Sequence, residues 1–120
     1  MIENVGGIVK IKIREVGDVA IFDLSGKIMG GEDSGKYKKA ILDAIEKNYK
    51  KILVNFSKVS WINSTGLGII VSGYTTASEK NCDMRLMNLT DKVNSIFMIT
   101  KLSTVFKTYD SEEEALANLK

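Results

Sequence analysis

The sequence predicts a single α/β domain built on a mixed sheet, and three observations lead there. Apolar runs of strand length alternate with stretches whose apolar residues recur every three or four positions. The chain has 120 residues, enough to bury one core and too few for two. It contains no proline, and no linker or internal repeat divides it, so residues 1–120 are expected to form one unit.

Each element follows from its local pattern. Residues 9 to 14, VKIKIR, alternate between apolar and charged, as in a strand with one wet face at a sheet edge. After a turn signal at Gly17 and Asp18, VAIFDL (19 to 24) is apolar at nearly every position, as in a strand covered on both faces. The two predict a hairpin. A glycine-rich connection, MGGEDSG, leads into KYKKAILDAIEKNY, where Tyr37, Ile41, Ala44 and Ile45 share a helical face. KILVNF (51 to 56) predicts a buried strand, SKVSWIN a short loop, and Leu67, Ile70, Val71 and Tyr74 the face of a second helix. MRLMNL (84 to 89) predicts a further strand. In DKVNSIFMIT the helical spacing returns through Val93, Ile96, Phe97 and Thr100, with Thr90 as its N-cap. VFKTY (105 to 109) is a short last strand. SEEEALANL closes the series with Ser111 and Glu114 at capping-box spacing and three acids at the helix N-terminus. The order β-β-α-β-α-β-α-β-α requires right-handed crossovers between parallel strands, with the hairpin supplying the antiparallel part.

Composition excludes several function classes. Hydrophobic residues at 44% and charged ones at 27% are ordinary for a soluble globular protein and argue against extensive disorder. Seventeen basic residues against fifteen acidic ones leave +2, and no basic cluster is interleaved with aromatics, so no nucleic acid is expected as partner. The segment MIENVGGIVK has no basic lead followed by a long apolar core, and no apolar stretch approaches the ~20 residues that span a bilayer. A cytoplasmic protein without membrane insertion is the expectation. Cys82 is the sole cysteine and histidine is absent, which removes internal disulfides, cysteine zinc sites, histidine metal clusters and His-based catalytic triads.

Three constellations remain. GGEDSGKY, residues 30 to 37, follows the phosphate-loop spacing as far as Lys36, but Tyr37 stands where a Ser or Thr would reach Mg²⁺, and Glu32 and Asp33 would repel phosphate. The opposing reading is a surface loop with Asp33 or Ser34 capping the helix. Asp23 and Asn55 are polar residues on buried strands. They are expected to have structural partners rather than to form a general base, and Cys82 has no basic neighbour in sequence to make a thiolate. The third is WINSTGLGII, residues 61 to 70, a strand-to-helix joint holding Asn63, Ser64 and Thr65 in a row. Any of the three can cap the helix; one suffices, which leaves a hydroxyl free at the positive end of a helix dipole, where an added phosphate dianion is stabilised. No histidine base exists, and position 67 is Leu rather than the Lys of a Ser-x-x-Lys nucleophile, so an enzyme is not expected.

The segment Ile62-Asn63-Ser64-Thr65-Gly66-Leu67-Gly68-Ile69-Ile70 resembles the centre of the STAS-domain anti-sigma factor antagonists of bacteria, an apolar residue followed by Asp-Ser-Ser/Thr-Gly-Leu-Gly and an aliphatic run. The similarity covers nearly the whole chain. LSGKI (24 to 28) is similar to the family's second strand, KILVNFSKVSWI to its third strand and loop, and Met84 to Phe106 to its fourth strand, third helix and fifth strand. The resemblance implies that Ser64 is the phosphoacceptor of a partner serine kinase of GHKL type that doubles as an anti-sigma factor, with a PP2C-type phosphatase as the opposing partner. It implies a binding surface made of Trp61, Ile62, Asn63, Ser64, Thr65, Gly66 and Leu67 beside the loop Met29, Gly30, Gly31, Glu32, Asp33 and Ser34. It also implies no cofactor, no metal, and a monomer or weak dimer. Asn63 departs from the family's usual Asp: it keeps the capping oxygen and the size but removes a negative charge beside Ser64. The alternatives are a STAS scaffold that is not phosphorylated and a module for a small ligand, nucleotide or lipid, in a signalling or transport complex.

Overall fold

In the computed structural model, residues 9–120 are described, and the side chains of residues 32–34 lie outside that description, as do residues 1–8 of the segment read above for a leader. Strand β1, Lys10–Val16, pairs antiparallel with β2, Val19–Ile28, through a two-residue turn in which Gly17 takes φ 59°. Helix α1 covers Glu32–Glu46, β3 covers Lys51–Ile62, α2 Ser64–Glu79, β4 Asp83–Met87, α3 Asp91–Ile99, β5 Thr108–Tyr109 and α4 Glu112–Asn118. The five strands lie in chain order, β2 to β5 all parallel. Successive right-handed crossovers that advance in one direction put their helices on one face. Accordingly Tyr37, Ile41 and Ala44 of α1, Ile69, Ile70 and Ala77 of α2, and Val93 and Phe97 of α3 share one core with Phe22, Val54 and Leu86 of the sheet. Full burial of the Val, Leu, Ile and Phe side chains among them stabilises by about 1.5–3 kcal/mol each.

The predicted order holds, and four local expectations are corrected. SKVSWI is not a loop: β3 runs unbroken to Ile62 and pairs with Ser25–Ile28. Between the pairs Asp23/Asn55 and Ser25/Lys58, and again between Gly26/Val59 and Lys27/Trp61, β3 carries one residue more than β2. These two bulges place Phe56, Val59 and Ile62, spaced by three, on the buried face, which disguises the strand's period of two. Neither Asp33 nor Ser34 caps α1, because the helix already includes Glu32 and its N-cap is Gly31, at φ 64°. Thr90 is the N-cap of α3, but its hydroxyl donates to the Val59 carbonyl (3.2 Å) rather than receiving a helix N–H. The last strand shrinks to two residues after a 3₁₀ turn at Leu102–Thr104. At α4 the Ser111 hydroxyl accepts from Glu114 N–H as expected, while the Glu114 carboxylate accepts from Asp110 N–H, one residue before the cap.

Helix α4 covers the other face, where Ala115 and Leu119 meet Val19, Ile21, Leu53 and Met87. A polar tie secures it. The Arg14 guanidinium donates to both Asp23 oxygens (2.5 and 3.0 Å) and to both oxygens of Glu112 in the first turn of α4 (2.7 and 3.3 Å). Asn55 donates to Asp23 as well (2.8 Å), so the carboxylate expected to have structural partners has them. Hydrogen bonding to Arg14 holds the Asp23 carboxyl below its ordinary value of 3.8. The unfolded chain therefore takes up this proton first as pH falls. The tie is intact above about pH 4 and is lost as pH drops through the lower folded-state value. Thermal unfolding followed by circular dichroism is expected to show a Tm that declines steeply below pH 4. Asp23→Asn is expected to unfold earlier at pH 7 and to decline less over that acid window; an identical acid slope in both proteins would show that the tie does not set it.

Candidate functional site

At the C-terminal end of β3 the chain turns directly into α2. Asn63 is the N-cap, with extended backbone (φ −104°, ψ −177°) and a side chain that works in two directions. Its Oδ1 accepts from Gly66 N–H (2.7 Å), which assigns the other terminus as Nδ2, and Nδ2 donates to the Met29 carbonyl (3.2 Å). The main chain repeats the link, with Asn63 N–H donating to the Ile28 carbonyl (3.3 Å). One residue thus caps the helix and joins its start to the end of β2. Gly66 makes the approach possible: a Cβ there would lie 2.1 Å from the Ile28 oxygen. Gly30, at φ 109°, lies so close to Thr65 that its Cβ would stand 2.7 Å from the threonine methyl.

With the cap assigned to Asn63, Ser64 occupies the first helical position, exposed, and its hydroxyl makes no hydrogen bond among the described residues. The N–H groups of Ser64 and Thr65 likewise have no partner there, whereas those of Gly66 and Leu67 are taken by Asn63. Two free donors and the positive end of a sixteen-residue helix therefore surround an unengaged hydroxyl. Trp61 is 38% exposed and Met29 39%, while Leu67 is half-buried. Lys92, from the start of α3, sits over the Trp61 ring with Nζ 5.3 Å from its centroid. No local signal connects Lys92 with Trp61; the crossover from β4 through α3 brings them together.

Part of the expected surface faces inward. Ile62 is 1% exposed and belongs to the core, and Gly66 and Gly30 are buried. They support the surface from beneath and offer no side chain to a partner. Glu32, Asp33 and Ser34 lie in the first turn of α1, their side chains outside the described residues. Lys36 of the phosphate-loop-like segment donates to the Val9 carbonyl (3.4 Å), and the strand order never reverses, so the sheet has no switch-point crevice above that segment. Cys82 is buried, which pushes its thiol up to about 11, well away from a thiolate. Among the described residues no group of His, Cys, Asp or Glu is arranged to hold a metal, and no helix is long and apolar enough to cross a membrane.

A five-stranded sheet in chain order, with an Asn-capped, serine-led helix at the end of its third strand, defines the class of domain. Residues 10–115 match the STAS domain model, and the chain belongs to that family. A Thermotoga neapolitana protein named as the homologue of an anti-sigma factor antagonist is 33% identical over 102 residues, spanning 84% of this chain and 89% of its own. The crystal structure of a Thermotoga maritima protein named for the same role, TM1081, superposes with a TM-score of 0.80 at 28% identity, covering 90% of this chain and 92% of that one. The Bacillus anti-sigma factor antagonist SpoIIAA, at 20% identity, shares the fold in its unphosphorylated form with a TM-score of 0.76 over 92% of this chain and 96% of its own. Its phosphorylated form gives 0.71 at 18% identity, over 92% of this chain and all of that one.

The double role of Asn63 separates two substitutions. Asn63→Ala removes the cap and the loop link together and is expected to cost roughly 0.5–2 kcal/mol in chemical denaturation. Asn63→Asp retains the capping oxygen but sets a carboxylate oxygen against the Met29 carbonyl. Its stability is expected to stay within about 1 kcal/mol of the parent, since the helix dipole favours the charge. The amides of Met29 to Gly31 are expected to exchange faster with deuterium. Unchanged protection in that loop would mean that the Asn63 amide does not hold it.

Proposed function

We propose that this STAS domain is an anti-sigma factor antagonist that binds a serine-kinase anti-sigma factor of GHKL type, releases the sigma factor, and is switched by phosphorylation of Ser64. The observation that carries the reading is the exposed, unengaged Ser64 hydroxyl at a helix start whose cap is supplied by the preceding residue. The names of the relatives support the role. Unmodified, the surface formed by Trp61, Leu67 and Met29 around Ser64 packs against the partner. The Ser64 oxygen attacks the γ-phosphorus of the kinase's ATP, ADP leaves, and the hydroxyl proton passes to a base of the kinase. Asn63 cannot take it, because an amide has no proton-accepting role at neutral pH.

The phosphate adds about −1.5 to −2 charges at the centre of the contact. Within the free domain it meets the unpaired N–H groups of Ser64 and Thr65 and the helix dipole, so the fold tolerates it. In the interface, burying it without a cation costs several kcal/mol, and each 1.4 kcal/mol is a tenfold loss of affinity. A PP2C-type phosphatase resets the switch by hydrolysing the ester. The domain itself needs no refolding.

A second reading rests on Asn63. Its amide closes the joint onto Met29 and leaves no carboxylate beside Ser64, an arrangement that suits a constitutive scaffold. The two readings separate in one experiment. Ser64→Ala is expected to retain the kinase in a pull-down, and Ser64→Asp is expected to lose it by at least about 100-fold, the equivalent of two tenfold steps of affinity. Mass spectrometry after incubation with the kinase and ATP is expected to find phosphate on Ser64 of the parent. Equal binding by both variants, with no phosphate gained, would leave the scaffold.

A further inference from the structure

The face of the sheet that carries α4 is apolar only beneath that helix. Beyond it, toward the C-terminal ends of β2 and β3, the same face holds an open depression of about 250 Å³. Its floor is the closed network already described. Arg14 neutralises Asp23, and Asn55 donates to Asp23 while accepting from Ser57 N–H (3.0 Å) and from the Asn88 amide (3.1 Å). Its rim is different. Lys12 and Lys58 line it and enter no ion pair among the described residues, although the Lys12 charge also acts on Asp23, and the side chains of Ser25 and Ser57, which line it too, make no hydrogen bond there. The lining holds three cations to one carboxylate; Arg14 is shared between that carboxylate and Glu112, so the cations still exceed the acids they face.

The first bulge of β3 builds this rim. Alternation counted from Asn55 would send Lys58 to the face covered by α1, α2 and α3, where a lysine has no place. The extra residue sets Lys58 opposite Ser25 instead, on the face of Lys12 and Asp23. The Asn55 side chain holds the bulge through Ser57 N–H. Bulges recur where a side chain has to be re-aimed at a functional position. Here the re-aimed residue is Lys58, one of the two lysines of the rim.

We infer that this depression is an anion site for a phosphate group, free or at the end of a small phosphate ester, held by Lys12 and Lys58 with the hydroxyls of Ser25 and Ser57. Two ammonium groups offer a phosphate several donors and an excess of positive charge, and lysine binds phosphate as a point charge without the planar fork that favours carboxylates. The volume falls below the roughly 300–1,000 Å³ that encloses drug-sized ligands, which restricts the enclosed part to the phosphate and a few further atoms. No residue of the α2 joint lines the depression, so the site stands independently of Ser64.

The test is a titration of isotopically labelled protein, followed by amide chemical shifts at fixed ionic strength, with inorganic phosphate in one arm and phenyl phosphate in the other. Saturable shifts of Ser25, Ser57 and Lys58 are expected in at least one arm, and the tighter arm distinguishes the free anion from the ester. The variant carrying Lys12→Gln and Lys58→Gln, both exposed positions, is expected to keep the parent's melting temperature and lose at least tenfold in affinity. Ser64→Ala is expected to bind as the parent does. Shifts that rise linearly in both arms, that chloride reproduces, or that persist with the same affinity in the double variant would overturn the site.

Discussion

The joint between β3 and α2 closes because Gly66 has no side chain. A single added carbon would stand 2.1 Å from the Ile28 carbonyl oxygen and 2.9 Å from the Ile62 side chain, so any other residue would force the helix start away from the end of β2. The rest of the candidate site depends on that approach. It brings Asn63 within reach of the Met29 carbonyl, lays Gly30 against Thr65, and lets one amide cap the helix and tether the loop. The following hydroxyl is then without structural duty. A serine in this position is available for chemistry because its neighbour already satisfies the helix.

The winding of the sheet distributes the remaining surfaces. Strands laid down in chain order, joined by crossovers of one hand, stack α1, α2 and α3 on one face and leave the other to α4. Helix α4 has only seven residues, anchored by the buried Ala115 and by Leu119 at its C-cap, so its attachment also draws on the link from Arg14 to Glu112. That arginine serves both partners at once: it holds the helix through Glu112 and donates to Asp23 on the sheet. The same arrangement explains why Asp23 is a structural anion and not a general base. Its pKa is driven down by donors, the opposite of what proton abstraction near neutrality requires.

On the helix-covered side, the ring contacts from Phe56 to Phe97, from Phe97 to Phe106 and from Phe106 to Tyr74 connect β3, α3 and α2. Lys92 over Trp61 adds a separate contact between α3 and β3 at the surface.

Element order, the edge position of β1, the face of α1 and the Ser111 cap were legible in the amino-acid sequence alone. Helix α2, by contrast, buries Gly66, Ile69, Ile70, Gly73 and Ala77 and leaves the expected Leu67, Val71 and Tyr74 half-buried at its flank, because glycine and alanine carry no apolar signal for the side that packs closest. The legible features depend on the local period of the backbone, 2 for a strand and 3.6 for a helix, or on a side chain bonding its own helix end. The redundant Asn63-Ser64-Thr65 run likewise marked the joint. Only the tertiary structure decided which of the three caps, because the choice depends on where Met29 lies, thirty-four residues earlier in the chain. The full length of β3 was hidden for a related reason. Two bulges replace the period of two by a spacing of three at Phe56, Val59 and Ile62, and a bulge exists only with respect to the partner strand. That relation buried Ile62 and turned Lys58 to the far face. The bond between Arg14 and Glu112, ninety-eight residues apart, belongs to the same category. Periodicity is written along the chain, whereas register, caps shared between elements and charge pairs are set by what the fold places opposite.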